Sequence, residues 1–463
     1  MELQAALLVV LVVLGAYMPV LLTLYVCRRR RAHVRCRQPL DMAFAAACVM
    51  IFALADPLHQ VLSGPAKGLA CYWHVVWATF GVTGSTWYLI VAVSHVVRHR
   101  VTEVLAQPLD PEEPYPKMRL YRWMLRRRVQ RCACAAIVAL VLGATLSASN
   151  TATLLGSSLN GCLTPAMVVS IGIQFGFCLC IVLSVVYALH SVDDLAGLHR
   201  TYAQTLLHAM GGLWLLGFVS YCEAQFQWTL LRLYNVKTMM STLLAHLLFY
   251  FNIVHPMTSL RRATRVDDAD YSGDATATSC SLHELASFRT YLEQPHGLDD
   301  FTAYCRLALR LEDILAYTTL WNFMTQLPTR EAATAIYHEC LDLNGQLVTS
   351  SAAKWRDFYR SQLASPHGLW TNGSTRNVHG PEVVPWDFYL PFLNDLVVAM
   401  YRDLAPDFTR HALGLSWREF RYAHLHASQR CISGDASLAA IVSMPLGPIP
   451  VSTASSRFHD DEP

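Results

Sequence analysis

The sequence predicts an all-α protein in two parts: a seven-transmembrane helix bundle over residues 1–257, then an all-helical domain over residues 282–425. Three observations carry this reading. The chain of 463 residues is 53% hydrophobic and only 15% charged, and nearly all of the apolar excess lies before about residue 255. Within that half the apolar runs have bilayer length, since a spanning helix needs roughly 20 residues with every backbone group satisfied internally. Beyond it, apolar residues return at every third and fourth position and no stretch alternates, so no sheet is expected.

The spans are expected at 3–26, 40–62, 71–97, 132–155, 164–189, 206–227 and 236–254. The first has no basic residues ahead of its apolar run and a basic cluster after it, so it reads as an anchor rather than a signal peptide. Glu223, Arg232 and Lys237 crowd the loop between the sixth and seventh.

Basic residues orient the bundle. Arg28–Arg31, Arg35 and Arg37 follow the first span, and Lys117, Arg119, Arg122, Arg126–Arg128 and Arg131 lie between the third and fourth. Arg200 follows the fifth, and Arg261, Arg262 and Arg265 follow the seventh, whereas the alternate loops carry only Lys67, Arg232 and Lys237. The positive-inside rule then puts the N-terminus outside and the C-terminal domain in the cytoplasm of a multi-pass cell-membrane protein in contact with membrane lipid. Arginines placed at span ends are juxtamembrane charge rather than a nucleic-acid patch, and no nucleic-acid partner is expected. Asn372-Gly373-Ser374 is a glycosylation sequon, yet on this topology it stays unmodified.

No cysteine pair has zinc spacing, so no metal is expected. Cys71, at the mouth of the third span, and Cys162, before the fifth, fall on the oxidising side and are expected to form a disulfide, the alternative being two free thiols. Cys27 and Cys36 flank the first basic loop, as acylation sites or as ordinary juxtamembrane cysteines.

Residues 258–281 turn from basic to acidic and small with no apolar period, and read as a flexible linker. Helical spacing begins at Leu282, Leu285, Phe288 and Leu292, continues through Phe301, Tyr304, Leu307 and Leu311, and strengthens at Ile314, Tyr317, Leu320 and Trp321 up to Pro328. Thr329, with Glu331, opens the next helix, whose apolar positions are Ala332, Ile336, Cys340 and Leu343. Gly, Pro, Asn and Ser over 361–385 mark a long loop. Phe388, Phe392, Leu396, Met400 and Leu404 make another helix, and Phe408, Leu415, Trp417 and Phe420 close the domain. Residues 426–463 read as a disordered tail.

These residues carry a resemblance. Phe301-Thr-Ala-Tyr304 followed by Leu311-Glu312-Asp313-Ile314-Leu315-Ala316-Tyr317, then Ala335-Ile336-Tyr337-His338-Glu339, then Met400-Tyr401-Arg402-Asp403 with Pro406-Asp407-Phe408, resemble the regulator-of-G-protein-signalling (RGS) domain. The layout of the membrane half is similar to the seven-transmembrane RGS proteins of plants. The resemblance implies no enzyme with its own substrate, but a GTPase activator that grips the switch segments of a G-protein α subunit (Gα) and acts by positioning. It implies Gα contacts at Glu312 and Asp403. Asp313 and Thr349 stand where the family has Asn, and Asp407 where it has a basic residue. Read without the resemblance, Glu312 and Asp403 are equally solvated helix-end carboxylates.

In the membrane half, ionisable residues are functional candidates by default. Asp56, His74, Glu223 and Lys237 all fall near the outer face, as the lining of a pocket for an extracellular ligand or as interfacial polar groups. A retinal cofactor would need a lysine in the middle of the seventh span, whereas Lys237 lies at its outer edge, and no cofactor is expected. No nucleophile–base pair stands out. The competing function is a seven-span transporter or orphan receptor whose helical domain is a non-catalytic docking scaffold; broken spans and mid-span charges would favour it, and few occur.

Overall fold

A computed structural model describes residues 2–29, 34, 37–63, 70–107, 116–148, 165–195, 197–226, 236–258, 282–326, 328–343, 345–364 and 384–432. These are all-helical, with no strand among the described residues. The chain divides into two compact units: Met1–Ala275 with Leu307–Leu309, and Thr276–Arg306 with Arg310–Pro463.

The first unit holds α1 (Glu2–Gly15), α2 (Tyr17–Cys27), α3 (Pro39–Ser63), α4 (Ala70–Ala106), α5 (Pro116–Leu125), α6 (Arg127–Ala148), α7 (Pro165–His190), α8 (Leu198–Phe226) and α9 (Val236–Phe249). A π-helical turn, Tyr250–Val254, continues α9. Five segments are long and apolar enough to cross a membrane by length and composition: Ala6–Cys27, Pro39–His59, Val75–Ala106, Gly172–His190 and Val236–Thr258. Each of the seven apolar runs in the sequence is helical over its described residues, the first with a turn at Ala16 that divides α1 from α2. α5 is an addition that the pattern of spans does not contain.

The bundle packs through small side chains. α3 lies along α4, α1 and α9, and its Ala45, Ala46 and Ala53 are buried with Tyr88, Ala92, Phe249 and Ile253. At Gly84 the two backbones come so close that a Cβ would sit 2.7 Å from the Ala45 carbonyl oxygen and 2.8 Å from Val49. Small residues permit such approach, and between apolar helices in lipid, close packing is the main attraction. Outward positions are apolar: Phe177 and Leu140 are 70% and 72% exposed, and Ile173, Trp214 and Phe218 also face out. That is the reverse of a water-facing helix and suits a lipid solvent.

The second unit holds α10 (Leu282–Leu292), α11 (Pro295–Leu307), α12 (Leu311–Thr325), α13 (Arg330–Ile336), α14 (Ala352–Ala364), α15 (Leu390–Asp403), α16 (Ala405–Arg410) and α17 (Leu415–Ile432). Its core is aromatic. Phe301 meets Phe288 and Phe408 edge-on at 5.2 and 5.1 Å, and Tyr291 packs on Trp417 at 5.1 Å. A second cluster joins Tyr359 to Phe388 and Tyr389 at 5.1 and 4.7 Å, tying α14 to the start of α15. Two buried tyrosines keep hydrogen bonds: Tyr389 donates to the Ala333 carbonyl at 2.7 Å and Tyr359 to that of Phe388 at 3.1 Å. Such rings contribute large buried area while satisfying their hydroxyls.

Several local expectations hold. α10 opens at Leu282, and Thr329 caps α13 by accepting from the Ala332 amide at 3.2 Å. Others change. The period through Leu307 and Leu311 is one helix too many turns long: the chain breaks at Leu309, which takes φ 55°, and α12 starts afresh at Leu311. α13 gives way to a π-turn, Tyr337–Leu341, instead of running on through Leu343. Phe388 lies in a turn before α15. Helix α14 has no counterpart in the expectations from sequence and takes in residues 361–364 of the expected loop, and α17 runs to Ile432, into the expected disordered tail; residues 365–383, most of the linker over 258–281 and the rest of the tail fall outside the described residues.

Candidate functional site

The chemistry-bearing residues of the second unit gather where α11 turns into α12. Leu309 occupies the left-handed region, and the Arg310 amide reaches back to the Cys305 carbonyl at 2.9 Å. This is the closing bond of a helix C-terminus whose left-handed position normally holds Gly, and a Leu there costs about 1 kcal/mol. Strained non-Gly backbone of this kind clusters at functional segments. The turn swings Arg310 over the first turn of α12, where its Nε donates to Asp313 Oδ2 at 2.7 Å and its second nitrogen reaches the same oxygen at 2.5 Å.

Arg310 faces three carboxylates, Asp313, Glu312 and Asp403. Burial works against its charge, but the three acids outweigh burial and push the guanidinium pKa up. Burial pushes the Asp313 carboxyl up, against the pull of Arg310 and with Asp403 adding to the rise. Asp313 is 1% exposed and its Oδ1 has no hydrogen-bond partner. Glu312 and Asp403 are half-buried at the rim. Both Glu312 and Asp313 occupy the first turn of α12, where the helix dipole favours carboxylates.

The remaining residues singled out by resemblance stand nearby in sequence order but in different settings. Asp403 closes α15 and contacts Arg402 at 3.0 Å. Asp407 lies in the first turn of α16, 3.8 Å from Arg410. Thr349 lies between the π-turn and α14; it is 5% exposed and its hydroxyl is buried without a hydrogen-bond partner. Of the five positions, the structure brings Glu312, Asp313 and Asp403 around a residue that sequence reasoning did not name, Arg310. Its signal was present: Arg310 precedes Asp313 by three residues, the spacing of neighbours on a helix.

The first unit contains a polar knot whose members the sequence does not bring together. Asp194, in the turn between α7 and α8, accepts from the Leu198 amide at 2.8 Å and the His199 amide at 3.2 Å, and contacts His199 Nδ1 at 2.5 Å. It thereby caps α8. His95 of α4 brings Nε2 to 3.7 Å, a charge contact too long for a hydrogen bond. Burial alone would raise the Asp194 carboxyl; the two histidines and the Leu198 amide outweigh it and hold it well below the usual carboxylate range. Tyr202 packs edge-on against His95 at 5.5 Å and Tyr88 at 5.8 Å. One turn along, Gln130 of α6 donates to Ser94 Oγ at 2.9 Å and contacts the Met124 and Leu125 carbonyls at 3.4 and 3.5 Å.

The expected outer pocket is only partly within view. Asp56 is buried in α3, and Lys237, half-buried, opens α9; each has a partner. His74 begins α4 and Glu223 ends α8, their side chains outside the described residues. The Cys71–Cys162 bridge also falls outside them, and the cysteines described are free. A hollow of about 390 Å³ between α4 and α7 is lined by Val93, Val96, Ile181, Val185 and Ala188, with Cys180 and Ser184. Among the described residues no group of three His, Cys, Asp or Glu is arranged to hold a metal.

Compared with family models, curated proteins and solved structures, the chain matches none.

Proposed function

We propose that this is a receptor-like membrane regulator of G-protein signalling. Seven spans carry it, the N-terminus lies outside, and the helical C-terminal unit accelerates GTP hydrolysis by a Gα subunit in the cytoplasm. One observation carries the reading: Glu312 and Asp403, distant in sequence, converge at the rim of one acidic end, beside a left-handed turn, on a helical domain built around the resembling Phe301–Phe408 pair. Acceptors held rigidly at one end of a domain suit the grip on switch segments, where activation is a matter of positioning and electrostatics. Tethering to the bundle raises the domain's effective concentration at the membrane.

A second reading, a docking scaffold without activation, is favoured by a specific observation. Asp313 and Thr349 occupy the positions of the family's asparagines, and both are turned inward. Single-turnover GTP hydrolysis by candidate Gα subunits, with and without residues 282–425, separates the two. Acceleration is expected, together with tight binding to Gα in its aluminium-fluoride state. Glu312→Ala removes one partner of a charge-assisted contact, which costs about 2–5 kcal/mol at a desolvated interface, so binding weakens by more than about tenfold. Tight binding without acceleration selects the scaffold; no binding by any Gα subunit removes both.

A further inference from the structure

We propose that α5 is a docking helix that lies in the membrane plane and binds anionic phospholipid in the leaflet bordering it. α5 runs over Pro116–Leu125 and packs against α4 and α6. Met118, 3% exposed, is the side chain that packs inward. At about 100° per residue, Leu120 and Trp123 project about 60° apart, with their midpoint about 170° from Met118. They are 53% and 51% exposed. Around the same outward face, Arg119 flanks Trp123 and Lys117 flanks Leu120, both exposed. The helix thus turns an apolar stripe with cationic borders away from its own protein.

Charge decides the occupant. Between Pro116 and Arg131 the chain carries seven Lys or Arg and no Asp or Glu. Arg127 faces Asp41 at 3.6 Å, while Arg128 and Arg131 are also exposed. A tryptophan and a leucine among arginines form the pattern of a headgroup-level amphipathic helix: ring and aliphatic chain enter the acyl boundary while the cations meet phosphate. Position agrees. α5 leads directly into α6, whose apolar run begins just after Arg131, so the helix stands at the level where that run enters the hydrocarbon. The inference rests on α4 and α6 crossing a membrane, as proposed above, and makes no use of the Gα assignment.

The test uses the full chain in nanodiscs of phosphatidylcholine, with and without phosphatidylserine. Backbone amide exchange over 116–125 is expected to slow by about tenfold or more when phosphatidylserine is present. Soluble phosphoserine should not reproduce the effect, because the apolar stripe then has nothing to enter. The triple variant Lys117→Gln, Arg119→Gln, Arg128→Gln should lose the dependence on phosphatidylserine, and Leu120→Ser with Trp123→Ser should lose protection in both lipids. These side chains are exposed, so exchange across α4 and α6 stays as in the wild type and reports an intact fold. Equal protection in the two lipids overturns the proposal. So does protection that appears only when a Gα subunit is added, which makes the face a protein dock. Release of the whole chain from discs by alkaline carbonate overturns the membrane-spanning reading, and the docking helix with it.

Discussion

Removing Arg310 should cost the helical unit far more than removing the charge it pairs with. Arg310→Met takes away the cation that pairs with Asp313 and faces Glu312 and Asp403, and strands a carboxylate that is 1% exposed. Unit charges about 4 Å apart at an effective dielectric of about 20 attract by about 4 kcal/mol. That agrees with the roughly 3–5 kcal/mol lost when one partner of a buried pair is deleted. The Arg310 side chain is 31% exposed, so solvent screens part of this and about 3 kcal/mol is expected. For a domain of about 150 residues that lowers Tm by about 6–12 °C. Asp313→Asn behaves oppositely. Its amide oxygen still accepts from Arg310, and the like-charge crowding with Asp403 disappears. Because the folded pKa of Asp313 is raised, its ionised form weakens the wild type as pH climbs through that raised value. Asp313→Asn should therefore be as stable as wild type or more so at neutral pH, and should converge with it below about pH 4. Thermal unfolding of residues 282–432 between acid and neutral pH measures both. An Arg310→Met variant melting within about 1 °C of wild type would refute the argument, as would an Asp313→Asn variant destabilised as much as Arg310→Met.

Three further outcomes follow from the same geometry. Asp194→Ala removes a helix cap and the partner of two histidines, and should destabilise the detergent-solubilised full chain by about 3 kcal/mol at neutral pH. The folded pKa of Asp194 is depressed, so that contribution is present above about pH 4 and fades as pH falls below it; Tm curves of variant and wild type that stay parallel down to acid pH would contradict this. Thr329→Ala removes the cap of α13 and should lower the stability of residues 282–432 by about 1 kcal/mol in urea titration. Asn372→Gln should leave the mass of the protein from eukaryotic cells unchanged after endoglycosidase treatment, since the proposed topology keeps that sequon in the cytoplasm; a sugar that disappears in the variant reverses the orientation.

The parts of this structure legible in the sequence are those written by short-range rules. A Thr two residues before a Glu, after a Pro, gave the start of α13 because capping is local. Spacing by three and four located α10, α12 and α15 because their buried faces are almost wholly apolar. α14 escaped although Ala352, Trp355, Tyr359 and Leu363 recur at three and four: only Ala352 and Tyr359 are fully buried, and Lys354, Arg356 and Asp357 dilute the stripe. The break at Leu309 carries no signal either, since a left-handed turn is normally announced by Gly or Asn. At the acidic end, Glu312 and Asp403 are nameable by resemblance, whereas their burial, and the pairing of Asp313 with Arg310 beside them, come from packing. His95 and Asp194 lie on different helical segments, and no local pattern links them.

Gln130 gives the junction of α4, α5 and α6 a property that no single helix has. Its amide meets the last carbonyls of α5 and the Ser94 hydroxyl of α4 at once, and Ser94 is chain neighbour to His95, which lies 3.7 Å from Asp194, the cap of α8. A rotation of α4 that draws Ser94 away breaks this clasp and unseats the end of α5, and a tug on α5 works backwards along the same route. Thermodynamic reciprocity makes the two directions equal in free energy. An influence that favours one rotation of α4 must therefore change how firmly α5 holds its place, by the same factor that holding α5 in place biases the rotation.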